Sequence, residues 1–514
     1  MNLRVVPTPI AAPPADLAGA VRAQSGRRLP AGAEAALVAA PGARAGLERL
    51  AAGGCLAVTT GQQAGLFTGP LFSVMKGLSA AALAAELSAT LGTPIVPVFW
   101  VAGDDHDFAE INHCAVIGAD GQLVTIVLRE RAAEAPMHPA FREPVGPEGA
   151  AALAALEAAL PPSEFRSGAL DWLRRAYLPD RSLAEACAQA MADLLGPFGV
   201  VVCRGWHAGV KRAAMPLMLA AAERALELDA ALADEARRLG ARGVAAPIDV
   251  GEGLSLVMVE GRLGRDRLKG EGPGRLAARR SGETFSLDDL AALAGQAPER
   301  LSANVLLRGA VEASVFPTVA YLGGPGELAY LAQNEPVFRL LGVPRPAPLP
   351  RFSALLVEAK VDKVLEKQHL TLDDLARPEG ALAGLVAREA LPPEATASLA
   401  ALREALEQRY DDVLRHAVAV DKTLEKPVLG ARNHSLSLAQ DIEKKLIGHF
   451  KRQQEATLAQ VWRARTQVYP GGKPQERVLT VASVLARHGP DALAGLYEAA
   501  RGHARHLVAT LAGS

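Results

Sequence analysis

Cys55-Leu56-Ala57-Val58-Thr59-Thr60-Gly61 and Ile95-Val96-Pro97-Val98-Phe99-Trp100-Val101, with a helical stretch between them, decide the fold of this chain. Each run is short, apolar and rich in β-branched residues, as expected of a strand buried on both faces. After the first run a loop reaches Pro70, which suits the first turn of a helix. Leu71 to Leu87 reads as that helix. Strand, loop, helix, strand predicts a βαβ unit. Its strands run parallel, and a site is expected beyond their carboxyl ends.

Working outward, Leu123-Val124-Thr125-Ile126-Val127-Leu128 follows an Asp120-Gly121 turn and reads as a third strand. Gly199-Val200-Val201-Val202-Cys203 is another, ending in Arg204-Gly205-Trp206-His207. Val315 to Leu322 returns to the sheet. Residues 1 to about 50 are rich in Ala and Pro and read as helical pieces lying on the core. Residues about 147 to 195 are Ala-rich and helical, and about 244 to 300 have Gly-punctuated β character. The expected fold class is therefore α/β around a parallel-sheet core spanning 1–385. A helical insertion is placed at about 138–195 and a second insertion at about 220–300.

Past 385 the pattern changes. Leu399, Leu402, Leu406, Tyr410, Val413, Ala417, Val420 and Leu424 recur at alternating steps of three and four. Leu438, Ile442, Leu446, Phe450, Leu458, Val461 and Arg465 continue the pattern, with a polar gap near Gln453 and Gln454. This is a heptad-like seam on two long helices, with a hairpin turn expected near Gly430 and Asn433. It predicts a C-terminal helical coiled-coil domain over 386–514. Ordinary packing of two helices on the core is the plainer alternative.

Half of the 514 residues are hydrophobic, 22% are charged and only 4% are aromatic. A large core is possible, packed mainly by Ala and Leu, which favours helices. A formal net charge of -1 gives no sign of a nucleic-acid partner. Cys55, Cys114, Cys187 and Cys203 form no C-x-x-C pair and read as reduced thiols of a cytoplasmic protein. The start of the chain lacks a long apolar segment, so no membrane association is expected.

Three constellations carry chemistry. The first is Thr60-Gly61-Gln62-Gln63-Ala64-Gly65-Leu66-Phe67-Thr68-Gly69-Pro70, leading into the helix that holds Lys76. Gly61, Gly65 and Gly69 allow close approach of a ligand. Free N–H groups and the Thr68 hydroxyl suit an anion. Gln62 and Gln63 offer donors and acceptors to a polar substrate. A tight turn needing Gly for geometry alone is the alternative. No Gly-Lys-Ser/Thr closes the loop, so it is not a Walker A motif.

The second is Gly103-Asp104-Asp105-His106-Asp107-Phe108-Ala109-Glu110-Ile111-Asn112-His113, directly after a buried strand. Crowded carboxylates raise one another's pKa, and His106 is expected to shuttle protons near neutral pH. Metal binding by His106, Glu110 and His113 on one helical face is the alternative. Asp107 alone also suits a helix cap. The third is Tyr321-Leu322-Gly323-Gly324-Pro325-Gly326-Glu327-Leu328-Ala329-Tyr330, with Gln333 beyond it. Glu327, Tyr330 and Gln333 fall on or near one helical face. Asn304, Arg308 and Arg351 are further candidates, because arginines at loop ends clamp carboxylates or phosphates. Tyr469-Pro470-Gly471-Gly472-Lys473-Pro474-Gln475-Glu476-Arg477 reads as a turn before a helix. No G-x-S-x-G elbow is present.

Four of these blocks, in this order, resemble the bacillithiol-biosynthesis BshC family: G-Q-Q-x-G-L-x-T-G-P, D-H-D-F-x-E-I-x-H, A-Y-x-G-G-P-G-E and the late P-x-G-x-x-Q-E-R. The family usually carries Glu where Asp104 stands; Asp105, His106 and Asp107 match. The resemblance implies a Rossmann-like core with connecting insertions and a coiled coil that pairs protomers as a homodimer. It implies an amide-forming ligase that joins L-cysteine to glucosamine–malate. The implied nucleotide is ATP or ADP, with the carboxyl activated most simply as an acyl-adenylate from ATP and Mg²⁺ as the usual companion. Asp105, His106 and Asp107 are then the expected catalytic residues, and no resident metal is expected. Two other functions stay open: a nucleotidyltransferase-like enzyme on the same core, and a non-catalytic dimeric scaffold for small ligands.

Overall fold

The computed structural model describes residues 3–272 and 274–512. Its contacts divide the chain into two units. Leu3–Leu356 and the stretch from Gln475 onward form the first, and Val357–Pro474 the second.

Six strands build the central sheet of the first unit: β1 (Leu37–Val38), β2 (Leu56–Gln63), β3 (Ile95–Ala102), β4 (Val201–Arg204), β5 (Thr318–Gly323) and β6 (Ala347–Pro350). Their spatial order is β6-β5-β2-β3-β4-β1. All neighbours are parallel except β1 and β4. β2 and β3 pair along their whole length, from Leu56 opposite Ile95 to Gln63 opposite Ala102. The expected βαβ unit is present, and β2 continues through Gln62 and Gln63, which the sequence reads as loop.

Helix α1 (Leu71–Leu91) connects β2 to β3. It lies between the sheet and the helix Asp491–Ala512, so apolar residues surround it on nearly every side. By length and composition α1 is apolar enough to cross a membrane, but 78% of its apolar window is buried inside the protein. Helices α2 (Ala208–Glu223) and α3 (Val305–Val315) pack on each other. Helix α4 (Pro325–Gln333) starts directly after β5.

Three expectations shift. Leu123–Val127 forms a strand but pairs only with His113–Ile117, as a separate antiparallel hairpin. An alternating half-buried pattern suits such a ribbon better than the central sheet. Val315 ends α3, and its strand begins only at Thr318, after Pro317 breaks the helix. The second insertion combines the helix Ala225–Ala241 with a five-stranded sheet built from 254–261, 264–272, 275–278, 284–286 and 301–303. In the first insertion, the helices Glu148–Ala159, Arg166–Ala176 and Leu183–Leu195 match the Ala-rich reading.

The second unit holds the long helices α5 (Pro393–Val420) and α6 (Glu425–Gln453), which pack against each other. The turn lies at Asp421–Leu424, where Asp421 caps the short helical turn after it. Gly430 and Asn433 sit inside α6, so they are not the hairpin turn. The polar gap at Gln453 and Gln454 is a real break, and a new helix runs from Glu455 to Val468. The boundary expected near 385 falls instead at 356/357. The short helices from Ala359 to Glu389 pack on Glu425–Gln453 and Glu455–Val468, and the C-terminal helices return to the first unit.

Candidate active site

The ends of β2, β3 and β5 open onto a cavity of about 550 Å³. Gln62, Gln63, Asp104, Asp105, Asn304, Arg308, Gly324, Gly326, Glu327, Tyr330 and Arg351 all line it. The three strand-end constellations therefore meet at one place, as a parallel sheet delivers them. Trp100, Met218, Ile248, Met258 and Val305 form an apolar wall.

Behind this lining is a buried charge network. Lys76, 1% exposed, donates to the Gly61 carbonyl at 2.7 Å and to Gln62 Oε1 at 2.8 Å, and pairs with Glu327 at 2.5 Å. An ammonium has three N–H donors, so Lys76 is saturated by the protein. It holds the end of β2 against the start of α4 rather than meeting a ligand. Burial pulls its pKa down to about 8, against the opposing field of Glu327. For Glu327 burial acts the other way, and Lys76 together with the Gly324 N–H overcomes it, keeping the carboxyl below its ordinary range. Glu327 also accepts from the Gly324 N–H at 2.9 Å and the Tyr321 hydroxyl at 3.1 Å. Arg308 donates to the Tyr330 hydroxyl at 2.9 Å.

Arg351 makes a two-pronged pair with Glu476, at 2.6 and 3.0 Å, with the two side chains 2% and 5% exposed. It also stacks near the Phe72 ring, as does Arg477, at 5.4 and 5.8 Å from the ring centroid. Arg477 lines the cavity. The late Gln475-Glu476-Arg477 element thus adds one cation to the site and fixes another.

At the end of β3, Asp104 accepts from Lys211 at 2.8 Å; Lys211 also donates to the Leu301 carbonyl at 2.9 Å. Asp105 accepts from Gln63 Nε2 at 2.8 Å and from the backbone N–H groups of His106 and Asp107. Burial opposes ionisation of Asp105. Arg265 and these hydrogen bonds outweigh it and hold the carboxyl below the usual range. Crowding therefore does not raise this carboxylate, because its neighbours are donors.

His106 lies beside Arg265, whose Nη1 is 3.0 Å from its Nδ1. Burial first, and the Arg265 charge second, lower the imidazole to about 4. The ring stays neutral at pH 7, so the expected proton shuttle near neutrality is not what its surroundings favour. Asp107 caps the short helix Phe108–Ile111, accepting from the Glu110 N–H at 3.2 Å. Neither His106 nor Asp107 lines the cavity. His106, Glu110 and His113 turn to different partners: Arg265, Gln63 and Asn112. Among the described residues no group of three His, Cys, Asp or Glu side chains gathers to hold a metal.

The Gly-rich loop serves the protein itself. The N–H of Gly65 goes to the Gln63 carbonyl, that of Gly69 to Leu66 and that of Leu71 to Leu479. The Thr68 N–H goes to the Tyr177 hydroxyl, and its own hydroxyl to the Phe67 carbonyl. Phe67 and Thr68 both have positive φ, at 48° and 71°. A Cβ on Gly65 would sit 2.7 Å from the Gly69 Cα, so these glycines approach each other and not a ligand. Thr60 donates to the Leu322 carbonyl across the sheet at 2.8 Å. Gly323 accepts from the Arg351 N–H at 3.0 Å. Gln333, fully buried, exchanges hydrogen bonds with the backbone of Ile248. Asn304 caps α3 through its side-chain oxygen while lining the cavity.

Lys211, Arg265 and Arg477 line the cavity without having stood out in the sequence as site residues. Lys211 sits in an Ala-rich helix, and Arg265 among several charges in Gly264-Arg265-Asp266-Arg267. Neither carries a local signal; only tertiary structure selects them. The four cysteines are buried and unpaired, and burial pushes the Cys114 and Cys187 thiols up to about 12. They offer no thiolate nucleophile at neutral pH.

Residues 33–352 match the family described as bacillithiol biosynthesis BshC, N-terminal Rossmann-like domain, and 354–511 match its C-terminal coiled-coil domain. A Salinibacter ruber protein is 33% identical over 89% of this chain and 83% of its own length. A Koribacter versatilis protein is 32% identical over 92% and 87%. A Heliobacterium modesticaldum protein is 32% identical over 88% and 82%. Each of the three carries the name "Putative cysteine ligase BshC". With the two family domains matched over 33–352 and 354–511, and the strand-end blocks gathered around one cavity, this chain belongs to the BshC family of bacillithiol biosynthesis.

Proposed function

We propose that this chain is a ligase that joins the carboxyl of L-cysteine to the amine of glucosamine–malate, with ATP as the activating co-substrate. The observation that carries the reading is the cavity itself, where a cationic rim adjoins an apolar wall in a chain matched to this family over most of its length. A carboxylate resists attack by an amine, and bound ATP would supply the leaving group. Lys211, Arg308, Arg351 and Arg477 could hold phosphates or carboxylates. Met218, Ile248 and Met258 could pack on a base or sugar face. Gln63 and Asp105 could orient the amine, Asp105 acting as a fixed negative charge rather than as the base. Mg²⁺ would enter with the nucleotide, since Asp104, Asp105 and Glu327 already have donors of their own. We place the protein in the cytoplasm, in keeping with its four free cysteines.

The test is direct. Purified protein is incubated with glucosamine–malate, cysteine and ATP–Mg²⁺, and the amide thiol and released pyrophosphate are followed by mass spectrometry and a coupled assay. Product that requires all three substrates is expected. Folded protein that makes no product with ATP or any other nucleoside triphosphate would overturn the ligase reading. Pyrophosphate release without cysteine would favour the nucleotidyltransferase alternative.

A further inference from the structure

The second insertion delivers one charged side chain to the cavity. Arg265 stands at the start of the strand Gly264–Gly272, is 8% exposed and lines the cavity wall. The hairpin that carries it is pinned in place. Met137 N–H donates to the Leu263 carbonyl at 3.0 Å, and the Arg265 N–H to the Met137 carbonyl at 2.9 Å. Gly264 between them has φ of 80°, and a Cβ there would come within 2.4 Å of the Met137 carbonyl atoms. Only glycine fits.

The guanidinium itself is held on three sides. Nε donates to Ser302 Oγ at 2.8 Å, Nη2 to the Ala303 carbonyl at 2.7 Å, and Nη1 contacts His106 Nδ1 at 3.0 Å. A guanidinium has five N–H donors and no acceptor. His106 Nδ1 must therefore accept, which leaves the ring proton on Nε2. Three of the five donors are spent on this scaffold, so one N–H on each terminal nitrogen is left over. Asp105 does not take them: its nearest oxygen is 4.0 Å from Nη1, and its oxygens already accept from Gln63 and two backbone N–H groups. The charged groups acting on the His106 ring are Arg265, Arg280, Asp105 and Asp107.

We propose that Arg265 is the group that binds an oxyanion of the bound substrates, and that His106 is a positioning residue that holds Arg265 through Nδ1. The inference rests on the reading of the cavity as the ligase site. The oxyanion is a carboxylate of cysteine, a carboxylate of the malate group or a phosphate. Whichever substrate loses affinity in the Arg265 variants names the source.

The experiment compares H106A, H106N, R265Q and R265K. Asparagine places an amide oxygen near the position of Nδ1 and can accept from Arg265, but it cannot carry a proton. H106A and R265Q are expected to lose ~100-fold or more in kcat/KM, the scale of deleting one oxyanion donor. H106N is expected to recover at least ~10-fold of the H106A loss, and R265K less than that, because lysine cannot reproduce the fork. The double variant H106A/R265Q should be no worse than R265Q. Side-chain ¹⁵N NMR of the histidines, assigned by difference with H106N, should show an unprotonated Nδ1 and a protonated Nε2 at pH 7. Loss of that signature in R265K would confirm the contact if R265Q does not fold. The proposal is overturned if H106N is as inactive as H106A while R265Q stays near wild type. It is also overturned if the NMR shows Nδ1 protonated. Absence of amide product from wild type would instead remove the ligase reading, and the tautomer measurement would still decide the Arg265–His106 contact.

Discussion

Glu312 shows what one buried residue can impose on the molecule. It lies on α3, 2% exposed, near Thr59, Arg308, Glu327 and Lys76, and its Oε1 lacks a hydrogen-bond partner among the described residues. Burial raises its pKa from 4.5 to about 7, although Arg308 and Lys76 oppose this. The unfolded chain therefore ionises this group between about pH 4.5 and 7 while the folded chain keeps its proton. The folded state binds more protons in that window, so its stability falls as pH rises through it. The loss is on the order of 3 kcal/mol and persists above the window. E312Q cannot ionise and should lack this loss. Urea denaturation at pH 5 and pH 8 should show wild type losing stability relative to E312Q by about that amount. Parallel behaviour of the two proteins would show that Glu312 ionises freely. Nothing in Val311-Glu312-Ala313 announces such a residue. The same holds for Arg265 and Lys211: their roles arise from contacts across long stretches of chain. Gln63, Asp105 and Glu327 were legible because they lie at or just beyond the ends of buried strands, where the local pattern itself points to a site.

The elements divide in the same way. β2, α1 and β3 were legible because buried parallel strands and a helix opened by proline write their periods directly into the sequence. The hairpin strand Leu123–Val127 was misplaced because periodicity reports a strand without its partner. The long helices were legible from their seam, and the turn between them was not. The residues that make it, Asp421 to Leu424, lack glycine or proline, whereas Gly430 lies within a helix. That hairpin leaves an unpaired apolar stripe. Leu402, Val413, Val420, Leu438 and Ile442 are 41%, 52%, 82%, 52% and 49% exposed, although each belongs to the heptad-like pattern. Helix α5 buries none of its residues within the single chain. A second copy of the chain would cover such a stripe by the same knobs-into-holes contacts. Sedimentation equilibrium should find a dimer. The variant L402E/V413E/L438E/I442E should be monomeric, with an unchanged cavity-bearing unit by hydrogen exchange. A monomeric wild type at micromolar concentration would remove this expectation.

At the scale of the whole molecule, segments far apart in sequence build one cavity: the first βα unit, the inserted sheet with Arg265, the Gly324–Tyr330 start of α4 and the late Arg477, with Glu476 fixing Arg351. Such a site cannot be read from any one stretch, and its ligand is better identified in the cell. If the chain performs the cysteine-adding step, a strain lacking it should accumulate glucosamine–malate and lose the cysteine-bearing thiol. The residue chemistry supports part of this. The cavity offers cations for carboxylates, and Gln63 and Asp105 as polar and anionic partners for an amine, which fits an anionic amino sugar. The discriminating measurement is therefore metabolite profiling of the deletion strain, repeated with a plasmid copy of wild type or R265Q. Wild type should restore the thiol and drain the glucosamine–malate pool, and R265Q should do neither although it is present at the same level. An unchanged pool with a normal thiol in the deletion strain would mean either that the assignment is wrong or that a second enzyme covers the step. Expression in a host that makes glucosamine–malate but no bacillithiol tells these apart: only a genuine cysteine ligase would make the thiol appear there.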